Sequence, residues 1–136
     1  VIEFTVYGEP IAQGRPRFST VGGFVRAYDP KKSSDYKDYI RLAAVEHKPA
    51  ELITGPIAMK LIVYRPIPKS FSKKKAQEAE DGTIYPVTKP DGDNYQKGVK
   101  DALTGILWRD DSQIVDARVL KRYSFNPRIE IAVKEL

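Results

Sequence analysis

The sequence predicts an α+β fold, a mixed β-sheet packed with helices, and three observations predict it. The 136 residues suit one domain with a real hydrophobic core and leave too little chain for two. Stretches that alternate with period two and stretches with helical spacing follow one another along the chain. No repeat, low-complexity tract or linker interrupts them, so residues 1–136 read as a single unit.

Ile2, Phe4 and Val6 alternate with Glu3, Thr5 and Tyr7, which predicts a strand with one buried face, closed by Gly8 and Pro10. In GRPRFSTVGGFVRAY, aromatic and β-branched residues flank Gly22-Gly23, predicting a hairpin or glycine-tipped loop made basic by Arg15, Arg17 and Arg26. Asp29-Pro30 reads as the N-cap and first position of a helix over roughly residues 30 to 47, in which Tyr36, Tyr39, Ile40, Ala43 and Ala44 recur at helical spacing. The run IAMKLIVY, Ile57 to Tyr64, lies between Pro56 and Pro66 and suits a well-buried central strand. KSFSKKKAQEAEDGT predicts a short charged helix ending at Asp81-Gly82. Tyr95, Val99, Ala102, Leu103 and Ile106 then form one face of an amphipathic helix, which Gly105 helps to end. Ile114 to Tyr123 and Arg128 to Val133 read as two strands joined through Asn126-Pro127.

Lysine and arginine number 23 against 18 acids, a net charge of +5, which fits an anionic partner such as nucleic acid. The absence of cysteine excludes disulfides, thiolate zinc sites and cysteine nucleophiles. There is no run of about 18 apolar residues and no solid apolar block at the start, so no membrane partner or signal peptide is expected, and a cytoplasmic location is. The only histidine, His47, has no paired acid signal and reads as a surface residue, which argues against a serine–histidine–acid triad.

Against this basic background KPDGDNYQKGVKDAL, Lys89 to Leu103, keeps two acids together. Asp93 with Gln96 three residues on has the pattern of a capping box. Asp91 and Asp93 are also one residue apart, so on an extended approach their side chains share a side, and a divalent cation can compensate the pair. Asp110-Asp111 is a second acidic pair beyond the helix, and a returning strand is expected to bring Asp111 beside Asp91 and Asp93. Lys97 stacks one turn after Asp93, with Asp101 one turn further on; it is either part of an exposed ion-pair ladder or a cation beside a phosphate or an attacking water. Acids holding Mg²⁺ in a basic chain suit phosphodiester hydrolysis.

KPDGDNYQKGVKDALTGILWRDDSQIVD, Lys89 to Asp116, closely resembles the signature of the RusA family of Holliday-junction resolvases, often encoded by prophages. It joins K-P-D-x-D-N, a lysine three residues after the asparagine, D-A-L-T-G and D-D-S-Q-I-V at that family's spacing. A looser likeness extends to GEPIAQGRPR and to the closing strands. The resemblance implies a RusA-like fold and a homodimeric endodeoxyribonuclease, dependent on Mg²⁺ or Mn²⁺, that binds four-way DNA junctions and resolves them by paired nicks in recombination and repair. It implies Asp91, Asp93 and Asp111 as catalytic, metal-binding carboxylates and Lys97 as the essential lysine, with Asp110 in support. Arg15, Arg17, Lys89, Asn94 and Gln113 are the expected DNA contacts, the last two as residues that contact DNA or organise the site. Gly92 departs from the pattern, since side chains are common between the two acids, and its backbone freedom is expected to alter the turn. Phe18 and Phe24 are expected to pack in the hairpin. The alternatives are a non-catalytic junction-binding protein, whose acids cap a helix and pair with lysines, and a D-x-D nucleotide-sugar transferase, for which the chain offers little room.

Overall fold

The computed structural model describes residues 1–14, 17–28 and 30–136, with the segments 17–21 and 24–28 described by their backbone. In chain order the elements are β1 (Ile2–Tyr7), β2 (Arg17–Val21), β3 (Phe24–Tyr28), α1 (Lys31–Val45), β4 (Ile57–Pro66), α2 (Lys73–Glu80), α3 (Gly92–Leu103), a 3₁₀ turn (Asp111–Gln113), β5 (Ile114–Ser124) and β6 (Arg128–Glu135). The succession of strands and helices matches the periodicities of the sequence.

One sheet has the order β1-β6-β4-β5, with β6 antiparallel to both β1 and β4, and β4 parallel to β5. A parallel pair cannot be closed by a tight turn and needs a long crossover. Residues 67–113 supply it, and they contain α2 and α3. Consecutive strands β5 and β6 are therefore not neighbours, because β4 lies between them. The second sheet is the hairpin β2–β3, whose tip residues Gly22 and Gly23 have φ of +58° and +85°. Two successive positive φ values are what a two-residue hairpin turn requires, and glycine adopts them without steric cost.

Inward-facing Phe4, Val6, Met59, Leu61, Val63, Ile129, Ile131 and Val133 pack beneath Ile40 and Ala44 of α1 and Tyr95, Val99, Ala102 and Leu103 of α3, with Trp108 fully enclosed. β4 is central, as its apolar run predicts, yet only one of its faces is in this core. Lys60 is exposed on the other, and the Arg128 guanidinium lies 3.8 Å from the centre of the Tyr64 ring there. Helix α1 is shorter than expected at both ends. Pro30 is extended (ψ 141°) and occupies the N-cap, so the helix begins at Lys31; the expected cap Asp29 lies outside the described residues. After Val45 the amides of His47 and Lys48 turn back to the Ala44 and Val45 carbonyls, because Pro49 disfavours helical geometry in the residue before it. His47 is exposed and stacks on Phe4 with ring centres 5.3 Å apart, in keeping with a surface role.

Two polar contacts tie α1 to α3. The buried Lys37 ammonium lies 3.3 Å from the Asp101 carboxylate, and Arg41 Nε donates to the Ala102 carbonyl at 3.2 Å, satisfying one of the acceptors a helix leaves open at its C-terminus. Among the described residues no helix is long and apolar enough to cross a membrane.

The Tyr36 hydroxyl is buried without a hydrogen-bond partner among the described residues. Burial, and after it Tyr39 and Tyr95, raise its pKa far above the ordinary 10.0. Removing an unsatisfied buried hydroxyl relieves a desolvation cost of about 1–3 kcal/mol. Tyr36→Phe is expected to increase unfolding free energy in urea by about 1 kcal/mol. A group whose folded pKa is raised contributes stability below its unfolded pKa and loses it as pH rises. The variant is therefore expected to lose less stability than the wild type above about pH 10.

Candidate functional site at the head of helix α3

Helix α3 lies on the core side of β5, and Gly92 explains how closely. A Cβ at that position would meet Val119 Cγ1 at 3.0 Å, so the glycine serves close packing of helix on strand, and the turn expected from its backbone freedom is not what it provides. The other end of α3 is fastened through Thr104, whose hydroxyl donates to the Lys100 carbonyl at 2.8 Å and accepts from Trp108 Nε1 at 3.1 Å. The helix thus runs antiparallel to β5, with its head over the middle of the strand.

The capping box read at Asp93 and Gln96 does not form. Asp91 is the N-cap residue, its side chain makes no capping bond, and Asp93 falls inside the first turn. Both side chains are exposed. Two unused carboxylates at a helix N-terminus sit where the helix dipole favours negative charge. Their hard oxygens suit Mg²⁺ or Mn²⁺, which usually take one or two protein carboxylates together with waters and substrate phosphate.

Asp111 does not join them within the chain. Gln113 Nε2 donates to the Ile53 and Gly55 carbonyls at 2.8 and 3.0 Å, while the Ile53 amide donates to the Leu107 carbonyl at 3.0 Å, so this turn is held at the foot of α3. Twelve residues of helix separate the two places, about 18 Å at 1.5 Å per residue. Antiparallel packing brings back the middle of β5, not its start. Among the described residues no three His, Asp or Glu side chains are grouped so as to hold a metal ion.

A real capping box is found at Asp110 and Gln113. Asp110 Oδ1 accepts from the Ser112 amide at 3.0 Å, the main cause of its lowered pKa, and Gln113 Oε1 accepts from the Arg109 and Asp110 amides at 3.0 and 2.8 Å. With both ends of its amide hydrogen-bonded within the chain, Gln113 organises the turn, one of the two roles expected of it. The charge ladder through Lys97 is also absent: Asp101 pairs with Lys37, and exposed Lys97 forms no ion pair among the described residues.

Asn94 and Lys89 are exposed at the head of the helix. The Asn94 carbonyl accepts from the Gln13 amide at 2.9 Å, so the segment leading to the β2–β3 hairpin is rooted beside the acids. A cleft of ≈ 390 Å³ opens there, lined by Glu9, Gln13, Arg65, Asn94 and Tyr95 among others. Burial pushes the Tyr95 phenol above its ordinary range, with Arg65 opposing the shift. Arg15 lies outside the described residues, as do the side chains of Arg17, Phe18 and Phe24.

Two residues that sequence reasoning missed stand beside the acids. Lys121 Nζ donates to the Thr88 carbonyl at 2.7 Å, and Arg65 NH1 donates to the same carbonyl at 3.1 Å and to Thr88 Oγ1 at 3.2 Å. Burial first and Arg65 second lower the Lys121 pKa, and Asp91 opposes them. The available signal was parity, because Arg65 and Lys121 continue the inward-facing series Leu61, Val63 and Val119 on their strands.

The chain matches the sequence pattern of the family described as Endodeoxyribonuclease RusA over residues 7–134. It is also similar to the uncharacterized protein YqaN of Bacillus subtilis (strain 168), with 55% identity over 137 residues covering 99% of this chain and 96% of the relative.

Gln113→Leu leaves two amides and two carbonyls without their partner, and is expected to lower unfolding free energy by about 1–3 kcal/mol. Lys97→Ala, on an exposed and unpaired side chain, is expected to change it by less than about 0.5 kcal/mol. Urea denaturation of both variants checks the contrast.

Proposed function

The chain belongs to the endodeoxyribonuclease RusA family, whose membership supports a nuclease function of that type, and we propose that it is a metal-dependent, structure-selective endonuclease that resolves four-way DNA junctions by paired nicks. The observation that carries this reading is the exposed Asp91–Asp93 pair, left free of helix capping, with Lys97, exposed and without an ion pair among the described residues, one turn further along the same helix. The oxygens of Asp91 and Asp93, together with Asp111, would hold the cation. Mg²⁺ or Mn²⁺ bound there would lower the pKa of a water and stabilise charge developing on the phosphate. Lys97 presents its ammonium to the phosphate oxygens or to the attacking water. In-line attack with the 3′ oxygen as leaving group gives 5′-phosphate and 3′-hydroxyl ends that a ligase can join. Arg15, Arg17, Lys89 and Asn94 hold the DNA arms.

A junction needs two cuts related by approximate two-fold symmetry, which suits a homodimer with two sites. Since a helix length separates Asp111 from Asp91 in its own chain, its carboxylate would serve the site of a second copy. The second reading is a junction-binding protein without cleavage, favoured by the lack of a three-acid group among the described residues.

A labelled four-way junction and a linear duplex, incubated with and without Mg²⁺, separate the two. Asp93→Asn and Asp111→Asn are each expected to lower junction cleavage by at least about 10²-fold. Equal nicking by the wild type and both variants overturns the three-acid mechanism, and junction binding with no cleavage in either Mg²⁺ or Mn²⁺ selects the binding protein. Mixed dimers of the two variants are expected to regain one nick, since one of their two sites is intact; no activity in the mixture places Asp111 in its own chain's site. Lys97→Ala is expected to lower cleavage by about 10²-fold while leaving junction affinity nearly unchanged, as a gel-shift titration beside the cleavage assay measures.

A further inference from the structure

The acid-bearing segment arrives at α3 without regular structure of its own. Residues 83–90 contain no helix or strand, and Val87, Thr88 and Lys89 are exposed. Such a segment orders a carboxylate only where something holds it. Among the described residues its polar anchors are few: the Thr83 amide and hydroxyl donate to the Glu78 carbonyl at 3.0 and 2.9 Å, the Arg122 guanidinium lies 4.9 Å from the centre of the Tyr85 ring, and Thr88 receives Lys121 and Arg65. The last anchor lies closest to the acids, three residues before Asp91. It comes from the parallel strands β4 and β5, a rigid base, and it uses charged donors, whose hydrogen bonds are stronger than neutral ones.

Two cations on one carbonyl repel each other, and a single neutral donor would satisfy that oxygen. The second cation does more than satisfy it. The pair sets positive charge near the Asp91 carboxylate, which acts electrostatically on Lys121. Lys121 contacts the loop backbone and not the carboxylate itself, and among the described residues neither Asp91 oxygen has a hydrogen-bond partner.

We propose that Lys121 and Arg65 are positioning residues, which clamp the Thr88 carbonyl and thereby hold Asp91 ready to bind a divalent cation. This rests on the carboxylate reading above and assigns the cation site its outer support. Groups that orient metal ligands in this way typically change metal affinity by about 10–100-fold when removed.

The test is titration of the DNA-free protein with Tb³⁺, a hard oxygen-seeking cation, followed by luminescence sensitised through nearby tyrosine, with far-UV circular dichroism to establish folding. Lys121→Met and Arg65→Met are each expected to weaken Tb³⁺ binding by about 10-fold or more, and Lys121→Arg, which keeps a charged donor, to restore most of it. Lys121→Gln serves as the comparison if Lys121→Met does not fold. In cleavage assays the clamp variants are expected to need more Mg²⁺ and to approach the wild-type rate at saturation, a split that a general loss of stability does not produce. Wild-type Tb³⁺ affinity in folded Lys121→Met and Arg65→Met, with binding lost in Asp93→Asn, overturns the clamp and leaves the carboxylate reading standing. Wild-type affinity in Asp93→Asn overturns the carboxylate reading, and the clamp with it.

Discussion

The parallel pairing of β4 with β5 is the constraint on which the rest of the structure depends. Parallel neighbours leave their connection at opposite ends of the sheet, so the chain between Pro66 and Ile114 has to travel the length of the strands once more. Helix α3 is the return leg. Its apolar face, Tyr95, Val99, Ala102 and Leu103, covers the inward side of the sheet, and Gly92 lets its first turn approach Val119 closely. The start of the helix is thereby set over the middle of β5, beside the strand residues that reach the segment before it.

That arrangement decides what surrounds each acid. Arg65, near the end of β4, and Lys121, in the second half of β5, become the neighbours of the segment before Asp91. Asp110 and Asp111, just before β5 begins, are carried to the far end of α3, where Asp110 closes a turn with Gln113. The same chain therefore uses Asp110 to finish a fold and leaves Asp91 and Asp93 exposed at a helix N-terminus. Among the described residues Asp91 and Asp93 have no ion-pair partner, and two neighbouring like charges are costly unless a cation compensates them.

The polar contacts of α1 fit this division. Lys37 takes Asp101 and Arg41 takes the Ala102 carbonyl, so the C-terminal half of α3 is anchored by charge as well as by packing. The N-terminal half carries Asp93, Asn94 and Lys97 on its exposed side, and among the described residues none of the three forms an ion pair. Rigid support at one end and unoccupied functional groups at the other is the form expected when a scaffold element presents chemistry to a large polyanion.

The sequence by itself determined the elements and the residues able to do chemistry. Period-two alternation at Ile2–Tyr7, the apolar run at Ile57–Tyr64 and helical spacing from Tyr95 to Leu103 are local consequences of which face meets the core, so they survive without knowledge of the partner element. The Asp91, Asp93 and Lys97 spacing is legible for the same reason, since all three lie at the head of one helix. Tertiary structure alone decided the strand order, the capping roles and the distances. The Asp93 pattern and the Asp110 pattern both satisfy the capping rule, and only the packing of α3 on Val119 selects where that helix starts. Lys121, Arg65 and Thr88 are brought together by a parallel pairing and an irregular segment, and Asp111 is kept apart by the length of a helix. Such relations depend on how elements face one another across the core, which no spacing along a single element encodes.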